Sequence, residues 1–227
     1  MTALFATIDG QRVTEARLYI PASGVWFVDL ELDALAVFSG AVDVRLGALA
    51  LRGTVAPSYS GSFGLVSYCR VLAGAGAWSK RLTPKHYHND AGVKLSTVAL
   101  DAAREVGERL EVPLDVDGRV GDDFVRAAAP ASLVLEQLLR GTPWWVDYDG
   151  ATHIGARAQS EAGADVELLD FDPRSKVASL AVDDLRALAV GSVLRKRLAR
   201  PLVVQDLEVQ VSKGALRVLA TGKELAS

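Results

Sequence analysis

Cysteine is nearly missing from this sequence: Cys69 is the only one, so no internal disulfide and no thiolate zinc knuckle can form. That usage fits a reducing compartment. Long apolar runs are missing as well. Stretches such as "LDALAVFSGAV" are cut by Asp, Ser and Gly before they approach the roughly 18 residues that a membrane span needs. The opening "MTALFATIDGQRV" has neither a basic leader nor an apolar stretch behind it, so no signal peptide and no membrane insertion are expected. There is no excess of positive charge, since 25 Lys and Arg face 28 Asp and Glu for a net charge of -3, which gives no support to a nucleic-acid-coating role. Phosphate loops, dinucleotide fingerprints, Gly-x-Ser-x-Gly elbows and His-Glu-x-x-His pairs are all absent. The nearest glycine run, "GAGAW" at 74–78, lacks the strand-to-helix setting that a phosphate loop requires. No cofactor is expected, and enzymatic chemistry has little support.

What is present is an ordinary globular balance, with 50% hydrophobic and 23% charged residues in 227. A chain of that length hides roughly 70% of the surface that its unfolded form exposes, so it needs no staples. Residues 1 to about 85 read as β. In "VWFVDLELDAL", Val28, Leu30 and Leu32 fall on one face, with Asp29, Glu31 and Asp33 on the other. "AVDVRLGALALRGTV" repeats the alternation through Val42, Val44 and Leu46, and "SYSGSFGLVSYCRVLAG" supplies two more short strands.

The period changes after Tyr87. In "LSTVALDAAREVGERL" the apolar residues Leu95, Val98, Ala99, Ala102, Val106 and Leu110 follow a helical spacing, with Ser96 or Asn89 as the cap. A second helix, "PASLVLEQLLRG", has Pro130 near its start and Gly141 just past its end. Between them, "VPLDVDGRVGDDFVRAAA" reads as a loop with a short strand. "WWVDYDGATHIGAR" reads as a hairpin turning at Asp149-Gly150, a dipeptide that supplies positive φ. The tail returns to β in "ADVELLDFD", "SKVASLAVD", "LVVQDLEVQVS" and "ALRVLATG", while "LRALAVGSVLRKRLA" fits helix or strand. The fold class expected is α+β, mainly β: two small β-barrel or sandwich domains around a helix-containing middle. The division expected is 1–87, an N-terminal β-domain; 88–157, a helical insert with a β-hairpin; and 158–227, a C-terminal β-domain.

Three groups of residues could carry function. His86 and His88, at i and i+2 in "KHYHND", would share one face of a strand, a spacing that can hold zinc. His153 would be a third ligand and Asp90 a general base in a His-ligated hydrolase. The competing reading is a connector that ends in an Asn-Asp-Ala-Gly turn. Trp144 and Trp145 point to opposite faces of a strand, which suggests one in the core and one at an interface or on a sugar-stacking surface. "RKRLAR" holds Arg195, Lys196, Arg197 and Arg200, the only basic run, which reads as a charged edge or a contact for an acidic partner. Asp147 and Asp149 could do paired acid–base work, yet the hairpin turn already explains Asp149. Asp122-Asp123 and Asp183-Asp184 read as solvated loop residues.

Taken together, "GAGAWSKRLTPKHYHNDAGVKLSTVALDAAREVGE", a helix, and then "GTPWWVDYDGATHIGAR" resemble the baseplate hub proteins of tailed bacteriophages. The likeness covers about 70–157, and the two ends match only in class. The resemblance implies two tube-like β-barrels per subunit, so that a homotrimer presents six barrels and joins a sixfold tail tube to a threefold spike. It implies tail tube and spike proteins as partners, and a virion location in the tail baseplate after synthesis in the host bacterial cytoplasm. It also implies a channel that passes DNA without specific binding, which a net acidic chain would suit. On this reading "KHYHND" is a strap from the first β-domain to the helical insert, its histidines bonding backbone groups across the junction. A carbohydrate-binding module using an exposed Trp of the 144–145 pair is the third class of function considered.

Overall fold

The computed structural model describes residues 6–113, 118–212 and 215–225. Eight strands come first: β1 (Ala6–Ile8), β2 (Gln11–Val13), β3 (Glu15–Ile20), β4 (Phe27–Leu32), β5 (Ala41–Leu46), β6 (Leu49–Val55), β7 (Gly61–Phe63) and β8 (Val66–Ala73). The middle holds β9 (Lys85–His88), α1 (Leu95–Val106), β10 (Arg109–Glu111), β11 (Asp123–Arg126), α2 (Ala131–Leu139), β12 (Trp144–Val146) and β13 (Ala151–Ile154). The tail adds β14 (Ser160–Glu161), β15 (Val166–Asp172), β16 (Val177–Val182), β17 (Ser192–Leu194), β18 (Leu202–Ser212) and β19 (Ala215–Glu224). The protein is therefore α+β and mainly β. Among the described residues no helix is long and apolar enough to cross a membrane.

The alternation read from the sequence places the core. Val28, Leu30 and Leu32 are buried in β4, Val42, Val44 and Leu46 in β5, and Leu207, Val209 and Val211 in β18. Strands from both ends of the chain join one sheet, in the order β15-β16-β19-β18-β3-β4-β8-β6-β5-β1-β2. The seam is antiparallel β3–β18, from Leu207 opposite Ile20 to Ser212 opposite Glu15. On its polar face the Tyr19 hydroxyl donates to Asp206 Oδ1 (3.3 Å) and Arg17 Nε lies 2.9 Å from Glu208 Oε1. Barrel or sandwich domains were expected; among the described residues one sheet runs through both ends of the chain, along a pairing path from β15 to β2. A strand has only two edges, and β3 uses one on β4 and the other on β18.

The middle departs from expectation in small ways. Helix α1 stops at Val106, where Gly107 takes the left-handed C-cap (φ 84°), so Leu110 belongs to β10 and not to the helix. Lys94, and neither Ser96 nor Asn89, occupies the N-cap. The Asn89 side chain instead accepts from the Ala91 amide in the turn that precedes it. Pro130 is the N-cap of α2, and Arg140 takes the left-handed position (φ 49°) one residue before Gly141. The ambiguous stretch 185–199 becomes a 3-10 turn at Leu185–Ala187 followed by β17. In the predicted loop between the helices, β11 is the short strand and residues 114–117 lie outside the described residues.

Leu18 is fully buried in the seam, opposite Val209 and Val28. Leu18→Ala should lower unfolding stability by about 2–5 kcal/mol in urea titration, the usual cost of truncating a buried leucine.

Candidate functional site

The strap is β9, paired antiparallel with β11 so that His88 faces Asp123, Tyr87 faces Phe124 and Lys85 faces Arg126. Strand alternation divides its residues. His86 and His88 turn outward and converge on one carboxylate, with His86 Nε2 3.1 Å and His88 Nδ1 2.9 Å from Asp123 Oδ1. His88 Nε2 also lies 3.1 Å from Asp90 Oδ1. The backbone partners expected for these histidines are thus replaced by side-chain carboxylates. Asp123 is held below the usual carboxylate range, chiefly by its hydrogen bond with His88.

Lys85 and Tyr87 turn toward α1. Lys85 Nζ sits 2.8 Å from Asp101 Oδ1, and the Tyr87 hydroxyl donates to Asp101 Oδ2 at 2.6 Å. Arg126, fully buried, donates to the same Oδ2 (3.2 Å), to the Thr83 carbonyl (3.1 Å) and to Glu105 Oε2. Glu105 in turn accepts from the Thr83 amide and hydroxyl at 2.7 and 2.8 Å. Asp101 and Glu105 stand one helical turn apart, so both reach the same side. Burial works against charge on Asp101, but the hydrogen bonds of Lys85 and Tyr87 and the nearby cations outweigh it and lower its pKa. The two bonds from Thr83 hold Glu105 low. Burial, then the bond to Asp101, pushes the Tyr87 hydroxyl well above its ordinary value. The histidines were the visible feature of "KHYHND", yet the opposite face of the strand fastens it.

A second tie uses the glycine run. Gly74 and Gly76 adopt positive φ (62° and 65°), and the turn they form aims backbone N–H groups at a single carboxylate. Ala77 N donates to Glu108 Oε1 at 2.6 Å and Ala75 N to Oε2 at 3.1 Å. "GAGAW" is therefore an anion-binding turn whose occupant is the chain's own Glu108. Burial dominates at Glu108 and raises its pKa, with the backbone bonds acting in the opposite sense. A Cβ at Gly74 would stand 2.7 Å from Glu108 Oε2 and 3.0 Å from the Gly150 carbonyl, which is why both turns are glycine.

The hairpin β12–β13 docks on the N-terminal sheet through its turn. Trp26 Nε1 donates to the Asp147 carbonyl (2.9 Å), Arg52 N to the Tyr148 carbonyl (2.7 Å) and Gly24 N to the Trp144 carbonyl (2.6 Å). Of the Asp149-Gly150 pair only Gly150 has positive φ (83°). Asp147 organises the turn, its Oδ1 accepting from the amides of Asp149 and Ala151 at 3.0 and 2.7 Å. This role in the turn replaces the acid–base pair considered for Asp147 and Asp149.

Trp144 is buried against Trp78 at 5.2 Å between ring centroids, so its ring faces inward and away from any partner. Trp145 lies nearer the surface between His153, stacked at 4.5 Å, and the Arg157 guanidinium at 4.1 Å. His153 Nε2 meets Asp147 Oδ2 at 2.8 Å, on a different sheet from His86 and His88. Among the described residues no three His, Cys, Asp or Glu side chains form a set able to hold a metal ion. The basic run is a turn after β17 and not a strand edge. Arg195 reaches Glu161 (2.9 Å), Lys196 the Ala164 carbonyl (2.9 Å), Arg197 the Leu168 carbonyl (3.4 Å) and Arg200 Glu224 (3.5 Å). It pins the segment that leads into β15. Asp184 likewise caps the 3-10 turn through the Arg186 amide.

Among the described residues the geometry thus supplies ties and no converging nucleophile, base and oxyanion donors. No family model and no curated protein sequence matches the chain. Solved structures do. The 43 kDa tail protein of prophage MuSo2 from Shewanella oneidensis superposes with a TM-score of 0.70 at 10% identity, covering 97% of each chain. A tail protein from Neisseria meningitidis MC58 gives 0.69 at 10% identity over 98% of this chain and 97% of its own. The E. coli c3393 protein, a component of the type VI secretion system with structural similarity to T4 bacteriophage tail proteins gp27 and gp5, gives 0.68 at 9% identity. It is covered over 77% of its length, with 98% of this chain aligned. The chain has the fold of these tail proteins.

Arg126→Ala leaves Asp101 and Glu105 without their buried cation and should cost about 3–5 kcal/mol in denaturant titration. Because both carboxylates titrate below their unfolded values, the stability they add is present above about pH 4 and disappears as pH falls through their folded values. Asp101→Asn with Glu105→Gln should flatten that acid limb. Glu108 has the opposite sign: with its folded pKa raised, the wild type loses stability as pH rises from about 4 through that folded value. The stability of Glu108→Gln relative to wild type should therefore improve between pH 4 and pH 7, whatever the fixed cost of the substitution.

Proposed function

We propose that the protein is a structural component of a phage tail baseplate, a hub that joins the tail tube to the central spike. The observation that carries this reading is the fold likeness to two tail proteins, which runs over nearly the whole of this chain and of theirs. The same likeness extends to a component of the type VI secretion system that is itself structurally similar to phage tail proteins. In this reading the chain works as 1–87, 88–157 and 158–227. The two β-rich ends, joined by the β3–β18 seam, form the wall of a ring, and the middle braces that wall through the strap and the hairpin.

A ring of three such chains presents six β-rich units to a sixfold tube while keeping threefold symmetry for a spike, and heterologous contacts close it. DNA would pass through without being held, since the net charge of -3 opposes adhesion. The role is mechanical and not enzymatic. The carboxylates and cations that could suggest catalysis are engaged with one another inside the chain.

Native mass spectrometry without chelators should show a trimer at the protein mass with no bound metal. A monomer carrying one zinc ion would contradict the hub and return His86, His88 and His153 to the role of ligands.

A further inference from the structure

A groove of about 220 Å³ lies between β11 and the C-terminal half of α2. Residues 124–127 form one side, and Val134, Gln137, Leu138 and Arg140 form the other. Neighbouring side chains on a strand point to opposite faces, so a wall made of consecutive residues is the edge of β11. Among the described residues no strand pairs with that edge, since β11 has β9 on one side only. The lining is apolar: Val134 and Leu138 are buried, Phe124 is half-buried, and Val125 stands 67% exposed at the mouth.

No carboxylate lines the groove. Arg126 does, but its charge is already met by Asp101 and Glu105. Arg140 is different. It is exposed, and among the described residues its guanidinium meets no carboxylate, carbonyl or ring, not even Glu136 one turn before it. Its backbone is left-handed (φ 49°), a conformation that glycine adopts freely and a residue with a Cβ resists. The negative end of α2 favours a cation there, but that alone calls for no groove beside it.

These features together define an occupant. A free strand edge takes an extended segment by main-chain hydrogen bonds, an apolar groove takes one of its side chains, and an unmatched guanidinium takes a carboxylate. We propose that the groove docks an extended acidic segment of a partner protein. An apolar side chain enters between β11 and α2, and a neighbouring carboxylate reaches Arg140. That the partner is another tail protein rests on the hub reading; the chemistry of the segment rests on the groove.

Nuclear magnetic resonance titration of the full chain tests this with the capped peptide acetyl-Gly-Leu-Glu-Leu-Gly-amide. The peptide should shift the resonances of Val125, Gln137 and Arg140 saturably. The same peptide with Gln in place of Glu should bind about tenfold more weakly, as loss of a hydrogen bond to a charged group does. Arg140→Gln should remove that difference and melt as wild type does, since the Arg140 side chain ties nothing within the fold. Val125→Glu, at an exposed position, should place a carboxylate in the mouth and repel the acidic peptide. No saturable shift, equal binding of the two peptides, or a preference for Glu that survives Arg140→Gln overturns the inference. A photoreactive residue in place of Val125 in purified tails should crosslink to a segment of another protein that carries Asp or Glu beside an apolar residue. Crosslinking to a second copy of this chain, or to a segment with no carboxylate, overturns the inference and leaves the hub standing. Absence of the chain from tails overturns the hub, while the peptide titration still decides the groove.

Discussion

The antiparallel pairing of β3 with β18 is the constraint on which the rest of the architecture depends. Residues 15–20 and 207–212 lie at opposite ends of the sequence, yet they form adjacent ladders with Leu18, Ile20, Leu207, Val209 and Val211 all buried beneath them. Closing so long a loop costs entropy that grows only slowly with its length. Burial of those side chains, at about 1.5–3 kcal/mol each by transfer, offsets it. The same pairing takes the second edge of β3, whose first edge is on β4.

The middle segment shares one apolar core with that sheet, and polar ties fix its position on it. Glu108 fills the backbone turn at Gly74–Ala77, the Trp26 indole and the Gly24 amide hold the hairpin, and Arg126 gathers the strap, α1 and β11. Buried charges of this kind add little net stability, because desolvation consumes most of the attraction. They do penalise any other arrangement, since a shifted insert would leave Arg126 or Glu108 buried and unpaired. We read them as devices that fix where the insert sits.

Much of the fold was legible in the chain, because alternation at β4, β5 and β18 and the helical period in α1 report burial directly. That one ring of the Trp144–Trp145 pair belongs to the core could be read the same way, from two adjacent rings on one strand, but not which one. The seam could not, since strand periodicity carries no information about which strand pairs with which. At the strap, the histidines drew attention because histidine is rare here, while the fastening residues Asp101, Glu105 and Arg126 are ordinary types. Their signal was the i, i+4 spacing of two carboxylates on one helix beside a strand that alternates His and non-His. Glu108 carried no local signal at all: its partner is a turn more than thirty residues earlier, and "GAGAW" gives no hint of what it holds.

The most direct measurement of the central claim is a cryo-electron microscopy reconstruction of tails that contain this chain. The account predicts three copies in a ring at the junction between the sixfold tube and the spike, each with its β3–β18 sheet facing its neighbours and its insert clamped as described. A chain found as isolated peripheral copies, or missing from the particle, would contradict it.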